Sequence, residues 1–159
     1  MKMALRIPPV IVLLIAGVLQ QITDIYAEGE KHRAMTISAV LVFVIALFIG
    51  ILAIVQFRHH QTTVDPRYPD SASSLITQGI FRVSRNPIYL AMALVLTAQS
   101  LWLSNWLTLI PLFVFCMYIQ HFQIIPEEHA LRAHFGSAYN LYCQRTRRWL
   151  GIKTTDDAR

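Results

Sequence analysis

Apolar positions in this chain fall in long unbroken runs, not in the alternating or every-third-or-fourth patterns of soluble elements. Residues 34–56 and residues 86–126 contain no Lys, Arg, Asp or Glu. The first run, MTISAVLVFVIALFIGILAIVQF, is about 23 residues, or roughly 35 Å as helix, which matches a bilayer core. The second run is about 41 residues and roughly 60 Å as helix, too long for one span and right for two. Its middle reads LWLSNW, with Ser104 and Asn105 bracketed by Trp102 and Trp106. Tryptophans suit the membrane–water interface, so this sequence predicts a tight helical hairpin. An earlier apolar stretch, residues 7–19, is short and is followed by Gln20, Gln21, Thr23 and Asp24. It reads as a helix from Pro8 to about Tyr26 that buries its polar residues against neighbours. The competing reading is a signal peptide: Lys2 and Arg6, a short apolar stretch, then Tyr26-Ala27, with Ile25 a poor fit to such a cleavage site. Open sheet edges cannot sit in lipid, so the spans are helices.

The expected fold is therefore an all-α integral membrane protein, one domain with four transmembrane helices and short cytosolic C-terminal helices. The spans are expected near residues 7–26, 35–57, 87–103 and 105–125, with the cytosolic helices across 127–148. Composition agrees: 55% of residues are apolar and 14% charged, against roughly 25% charged in a soluble domain. Of the fourteen Lys and Arg, twelve lie in the N-terminal stub, in residues 56–86, or after Pro126. Lys31 and Arg33 remain, offset by Asp24, Glu28 and Glu30. The positive-inside rule then places both termini in the cytoplasm, consistent with a bacterial inner membrane. The net charge of +5 is a topology signal before it is anything else. A nucleic-acid partner would require a basic face with interleaved aromatics on a soluble domain, and no such face is present. Cys116 falls in the fourth helix and Cys143 in the tail, so the two are not expected to pair. No Cys and His spacing suggests a metal site, and His59-His60 reads as a solvated juxtamembrane pair.

Candidate chemistry gathers where helices meet the cytosol. The segment QGIFRVSRNPIY, residues 78–89, carries Asn86-Pro87, a helix-start signal with Asn as N-cap and Pro at the first helical position. The helix opens at the inner membrane face with its free amides exposed, and Arg85 sits beside them; amides plus a guanidinium can hold an anion. The bland alternative is that Arg85 only anchors topology and Asn86 only caps. The fourth span ends at QHFQIIP, residues 120–126, and Glu127-Glu128 follow at once. Acids in a first turn are favoured by the helix dipole, yet two carboxylates at the membrane surface of a basic tail are also candidates for binding. Gly136 reads as a C-cap and Ser137 as the start of another short helix. Tyr139 and Tyr142 share a face of it, for packing or as walls for a flat ligand. Arg145, Arg147, Arg148 and Trp149 read as an interfacial anchor on anionic lipid. His121, about one turn inside the last span, is either a functional ionisable group or a packing histidine.

Taken together, Arg85, Pro87, Tyr89, Glu127-Glu128, Leu131, Phe135-Gly136, Tyr139, Tyr142 and Arg148 resemble the isoprenylcysteine carboxyl methyltransferase family. The likeness extends more distantly to phospholipid N-methyltransferases. Thr62-Thr63 and Gln78-Gly79 add to it, and it covers roughly residues 61–149. The resemblance implies S-adenosylmethionine as cofactor, in a cytosol-facing pocket built from the two helix ends and the C-terminal helices. It implies Arg85 and Glu128 as catalytic residues. Arg85, Asn86, Tyr89, His121, Glu127, Glu128, Tyr139 and Tyr142 are the implied cofactor contacts. Asn86 stands where that family usually has His, so no titrating base is assigned there. The Gly-x-Gly element of the phospholipid enzymes is missing, and no G-x-G-x-x-G occurs, which excludes a soluble Rossmann-type methyltransferase. Methyl transfer from a sulfonium needs alignment and water exclusion more than a strong base. The acceptor, a lipophilic or small molecule bearing a carboxylate, thiol or amine, is expected to enter from the bilayer. The alternative is a non-enzymatic membrane protein, a transporter or assembly factor. That reading needs polar residues at mid-membrane, whereas the mid-span positions are almost all apolar.

Overall fold

The computed structural model describes residues 7–26, 32–59 and 75–152. The basic residues Lys2, Arg6, Lys31, Arg67, Lys153 and Arg159, and the motif residues His60, Thr62 and Thr63, lie outside them. Five α-helices run in order: α1 Pro9–Tyr26, α2 Arg33–His59, α3 Pro87–Leu103, α4 Leu109–Ile119 and α5 Ile125–Arg145. Short 3-10 turns at Gly79–Arg82 and Trp106–Thr108 precede α3 and α4, and a π turn, Gln120–Ile124, joins α4 to α5. Among the described residues there is no strand, only an isolated antiparallel bridge between Thr146 and Ile152. Among the described residues three stretches are long and apolar enough to cross a membrane: Pro9–Tyr26, Arg33–His59 and Trp106–Arg145. α3, with 17 residues, is a shorter apolar helix of about 26 Å. The chain is an all-α membrane protein.

Packing explains why α2 reads as apolar all round. Its buried residues are Ala39, Ala46 and Ala53, one every seven positions, and it packs most extensively on α3. A Cβ on Gly50 would stand 3.6 Å from the Cβ of Ala91, so the two backbones approach closely along a seam of small residues. Leu41, Phe43, Val44, Leu47 and Phe48 are left exposed. In water that face would be a large liability; in lipid it is already solvated.

α1 is fastened differently, by amide side chains. Gln20 is fully buried, and its Nε2 donates to Leu96 O at 3.2 Å, Ser100 Oγ at 2.9 Å and Thr108 O at 3.0 Å. Gln99 Nε2 donates to Gly17 O, and Asn105 Nδ2 to Asp24 Oδ1. Of the four polar residues expected to be buried on α1, Gln20 and Asp24 therefore reach neighbouring helices. Gln21 is exposed, and Thr23 bonds its own helix at Leu19 O.

The hairpin between α3 and α4 forms where the Ser-Asn pair stands. Ser104 takes a left-handed conformation (φ 55°), and Asn105 Oδ1 accepts from Leu107 N–H, capping the 3-10 turn. Trp102 and Trp106 are 53% and 75% exposed on either side of it, as interfacial rings should be.

At the other end the structure departs from the expected separate cytosolic helix. α4, the π turn and the first half of α5, as far as Phe135, form one rod of about 40 Å, longer than the bilayer core of about 30 Å, so its distal end projects beyond the apolar span. Pro126 cannot continue a regular ladder, because it lacks an N–H and its ring crowds the carbonyl four residues back. The wide turn resolves this: Ile125 N–H bonds Gln120 O, five residues earlier, and the rod continues. The rod breaks instead at Gly136 (φ 53°, ψ −121°).

Candidate active site

The start of α3 is held by a return of the chain. After α5 ends, residues 146–152 fold back along residues 82–86. Thr146 Oγ1 donates to Arg82 O, Arg147 N–H to Gly151 O at 2.9 Å, Gly151 N–H to Val83 O at 2.8 Å, and Arg85 N–H to Arg147 O at 3.1 Å. Tyr142 OH adds a bond to Phe81 O at 2.7 Å. Gly151, at φ 117°, supplies the conformation the tight return needs. Trp149 Nε1 donates to Gln120 Oε1 at 3.0 Å, tying the return to the rod.

This clamp assembles an ion triad. Arg85 Nη2 lies 2.7 Å from Glu128 Oε1, and Arg148 grips the same carboxylate through Nη2 to Oε2 at 2.8 Å and Nε to Oε1 at 3.1 Å. The Arg85 and Glu128 side chains are 10% and 8% exposed. Arg85 Nη1 also reaches Cys143 O, while Arg85 Nε is buried without a partner. One turn into α3, Tyr89 OH donates to Glu127 Oε1 at 2.5 Å. The two adjacent carboxylates are thus separated by their partners. Burial pushes the Glu127 carboxyl up to about 8; the Tyr89 hydrogen bond offsets part of that and the neighbouring Glu128 adds to it. Burial also pushes Glu128 upward, but its hydrogen bonds and charge pairing with Arg148 and Arg85 outweigh this and hold it below the usual carboxylate range. The two surroundings thus pull in opposite directions, favouring the neutral form of Glu127 and the ionised form of Glu128.

Several expectations are corrected by this geometry. Asn86 is the N-cap of α3 by position, but its side chain makes no cap bond; its Nδ2 donates to Arg148 O at 3.0 Å, and its N–H bonds Ser84 Oγ. The Arg85 guanidinium is engaged with Glu128 and Cys143 O. Arg148 and Trp149, read from sequence as a lipid anchor, face inward. Tyr139 and Tyr142 meet edge to face (68°, centroids 6.1 Å apart) and pack in a cluster with Phe81 and Ile76. His121 is outside the cluster: the π turn carries Gln123 and Ile124 inward and leaves His121 exposed against Phe122. Sequence reasoning missed Arg148 as the second partner of Glu128 and Ser84 as a buried acceptor. The signal for Arg148 was its place among the family-like residues. Ser84 carried none. Among the described residues, no three His, Cys, Asp or Glu side chains gather to hold a metal ion.

An uncharacterized protein of Haemophilus influenzae is 43% identical over 63 residues, which is 40% of this chain and all of that protein. No solved structure matches the chain. The profile of the phospholipid methyltransferase family matches residues 34–138, from the start of α2 to just past the break at Gly136. That stretch takes in Arg85, Asn86, Tyr89, Glu127 and Glu128, and covers about two thirds of the sequence, so the chain belongs to the phospholipid methyltransferase family.

Proposed function

We propose that this protein uses S-adenosylmethionine to methylate a lipophilic or small acceptor carrying a carboxylate, thiol or amine. The proposed site is the Arg85–Glu128–Arg148 triad with Tyr89 and Glu127, facing the cytosol. The observation that supports it best is the buried triad itself. Two arginines converge on one carboxylate where two membrane helices end, and one buried donor, Arg85 Nε, is left over. Helix packing does not need such an arrangement, and buried ions are costly unless they serve a purpose. The likeness of Arg85, Pro87, Tyr89 and Glu127-Glu128 to the isoprenylcysteine carboxyl methyltransferases supports a carboxylate or thiol acceptor. The family profile equally accommodates an amine.

The donor set fits an amino-acid-bearing cofactor. Arg85 Nε would hold a carboxylate, and Glu127 would accept from an ammonium or hydroxyl group. Bound S-adenosylmethionine supplies an electrophilic methyl group on a sulfonium. The chain's own part is alignment and exclusion of water. Glu128 keeps both guanidiniums fixed, and Tyr89 fixes the Glu127 carboxyl. The apolar walls of α3 and α4 keep the approach from the bilayer dry.

Equilibrium binding of labelled S-adenosylmethionine to the purified protein in detergent tests this reading. The parent should bind, and Glu128→Gln should bind at least about tenfold more weakly, because the arginines lose their charge-assisted partner. Equal affinity in the two proteins would remove the triad from the site and return Glu127 and Glu128 to helix-start acids.

A further inference from the structure

The inward turn of Arg148 and Trp149 leaves a different set of residues on the outside of the clamp. Val83 is partly exposed, and Leu150 and Ile152 are 61% and 66% exposed. Backbone bonds bring them together: Gly151 N–H to Val83 O, and the bridge of Ile152 with Thr146. Arg82 and Arg145 flank the same spot, Arg82 through its carbonyl on Thr146 Oγ1 and Arg145 as the residue before Thr146; both are exposed. Among the described residues the charge there is one-sided. Among the described residues the acids are Asp24, Glu127 and Glu128. Asp24 is at the hairpin end of the bundle, bonded to Asn105. Glu127 and Glu128 are engaged with Tyr89 and the two inward arginines. The patch also lies where Pro87 opens α3, two residues beyond Arg85, and where Trp149 is tied to Gln120 just past α4, the level at which the sequence reading puts the membrane surface.

We propose that Arg82, Val83, Arg145, Leu150 and Ile152 form a seat for anionic phospholipid. The headgroup phosphate is bound by the two guanidiniums, and the apolar side chains enter the interface beneath it. Guanidinium binds phosphate through paired hydrogen bonds, and basic residues beside apolar ones are what an anionic bilayer surface attracts. The seat is built on the residues that close the triad. Lipid held there therefore keeps residues 146–152 pressed on residues 82–85, with Arg148 on Glu128. The partner is the bilayer itself, and the consequence is a site whose order depends on the charge of the surrounding lipid.

Backbone hydrogen exchange of the full chain in lipid nanodiscs tests this without cofactor or acceptor, so its outcome is independent of the methyl-transfer reading. Discs of phosphatidylcholine are compared with discs containing phosphatidylglycerol. The amides of Arg85, Arg147 and Gly151 should exchange roughly tenfold more slowly in the anionic discs, while α2 is unaffected. The double variant Arg82→Gln/Arg145→Gln should lose that difference, and both residues are exposed, so the fold is retained. Leu150→Ser should speed exchange at the clamp in both lipids. Equal rates in the two discs, or a difference that survives in the double variant, would overturn the proposal. Slowing reproduced in neutral discs by inorganic phosphate alone would overturn it too, since a free anion and not the lipid would then be the ligand.

Discussion

Glu127 and Glu128 are adjacent in sequence and opposite in behaviour. Glu127 is held in its neutral form by burial, up to about 8, so the folded protein keeps a proton that the unfolded chain gives up near 4.5. The sign follows: Glu127 contributes its full stability below about 4.5, and that contribution is lost as pH rises toward about 8. Thermal unfolding in detergent should show the midpoint falling across that window, and Glu127→Gln, permanently neutral, should flatten the fall. A parent curve as flat as that of the variant would mean Glu127 is ionised throughout. Arg85 is the second residue with a sharp consequence. It spans Glu128 Oε1 and Cys143 O with separate nitrogens, and has a third buried nitrogen to spare. Lysine offers one compact ammonium and cannot reproduce that fork. Arg85→Lys should therefore insert normally yet lose methyl transfer roughly tenfold or more, about 1.4 kcal/mol of transition-state stabilisation. Turnover normalised to membrane expression checks it. Parent-like turnover would make Arg85 a topological anchor, because topology counts charge and not shape.

Among the elements, two devices set the geometry that these residues occupy. The break at Gly136 turns the end of α5 so that Tyr139 and Tyr142 are buried and Arg145 and the clamp come back toward α3. A Cβ at Gly136 would meet nothing within 4 Å, so the obstacle to substitution is the backbone alone. Gly136→Ala should cost about 1–3 kcal/mol, read as a lower unfolding midpoint, without any steric clash to relieve. The second device is Gln20, which joins α1 to α3 and to the α4 hairpin through one amide nitrogen. Soluble-protein intuition would favour Gln20→Leu in an apolar bundle. Here the change leaves Ser100 and the Leu96 and Thr108 carbonyls without their donor, so it should destabilise by about 0.5–1.5 kcal/mol. Denaturant or thermal unfolding in micelles decides the sign.

At the scale of the whole molecule, polar chemistry is divided between two ends. The hairpin end carries Gln20, Gln99, Ser100 and Asn105, joined by hydrogen bonds between elements that leave Gln20 Oε1 without a partner. The opposite end carries the triad, Glu127 and the clamp. The four crossings expected from the sequence would return the chain to the side from which it started, and twelve of fourteen basic residues lie on the segments the positive-inside rule assigns to that side. Reporters fused before Met1 and after Arg159 should both be active only in the cytoplasm. Activity of either one only on the outer side would reverse the orientation and the facing of the proposed site with it.

The all-α membrane architecture was legible in the sequence because it depends on composition over whole segments. An uncharged run of about 23 residues can do little else but span, and Trp102-Leu-Ser-Asn-Trp106 marks its own interface. Local signals were legible for the same reason: Pro87 opens α3 and Gly136 breaks α5, each by a property of its own backbone. The identity of the chemistry-bearing residues was partly legible, through Arg85 and the Glu127-Glu128 pair. What the tertiary structure alone decided was their pairing. Arg85 and Glu128 are 43 residues apart, and Arg148 is 20 beyond Glu128. No periodicity or capping rule connects them, since their meeting depends on a π turn, a glycine break and a chain return acting together. Arg148 and Trp149 show the cost of reading such residues singly: both are built like lipid anchors, and both turn inward because Glu128 and Gln120 are there to receive them.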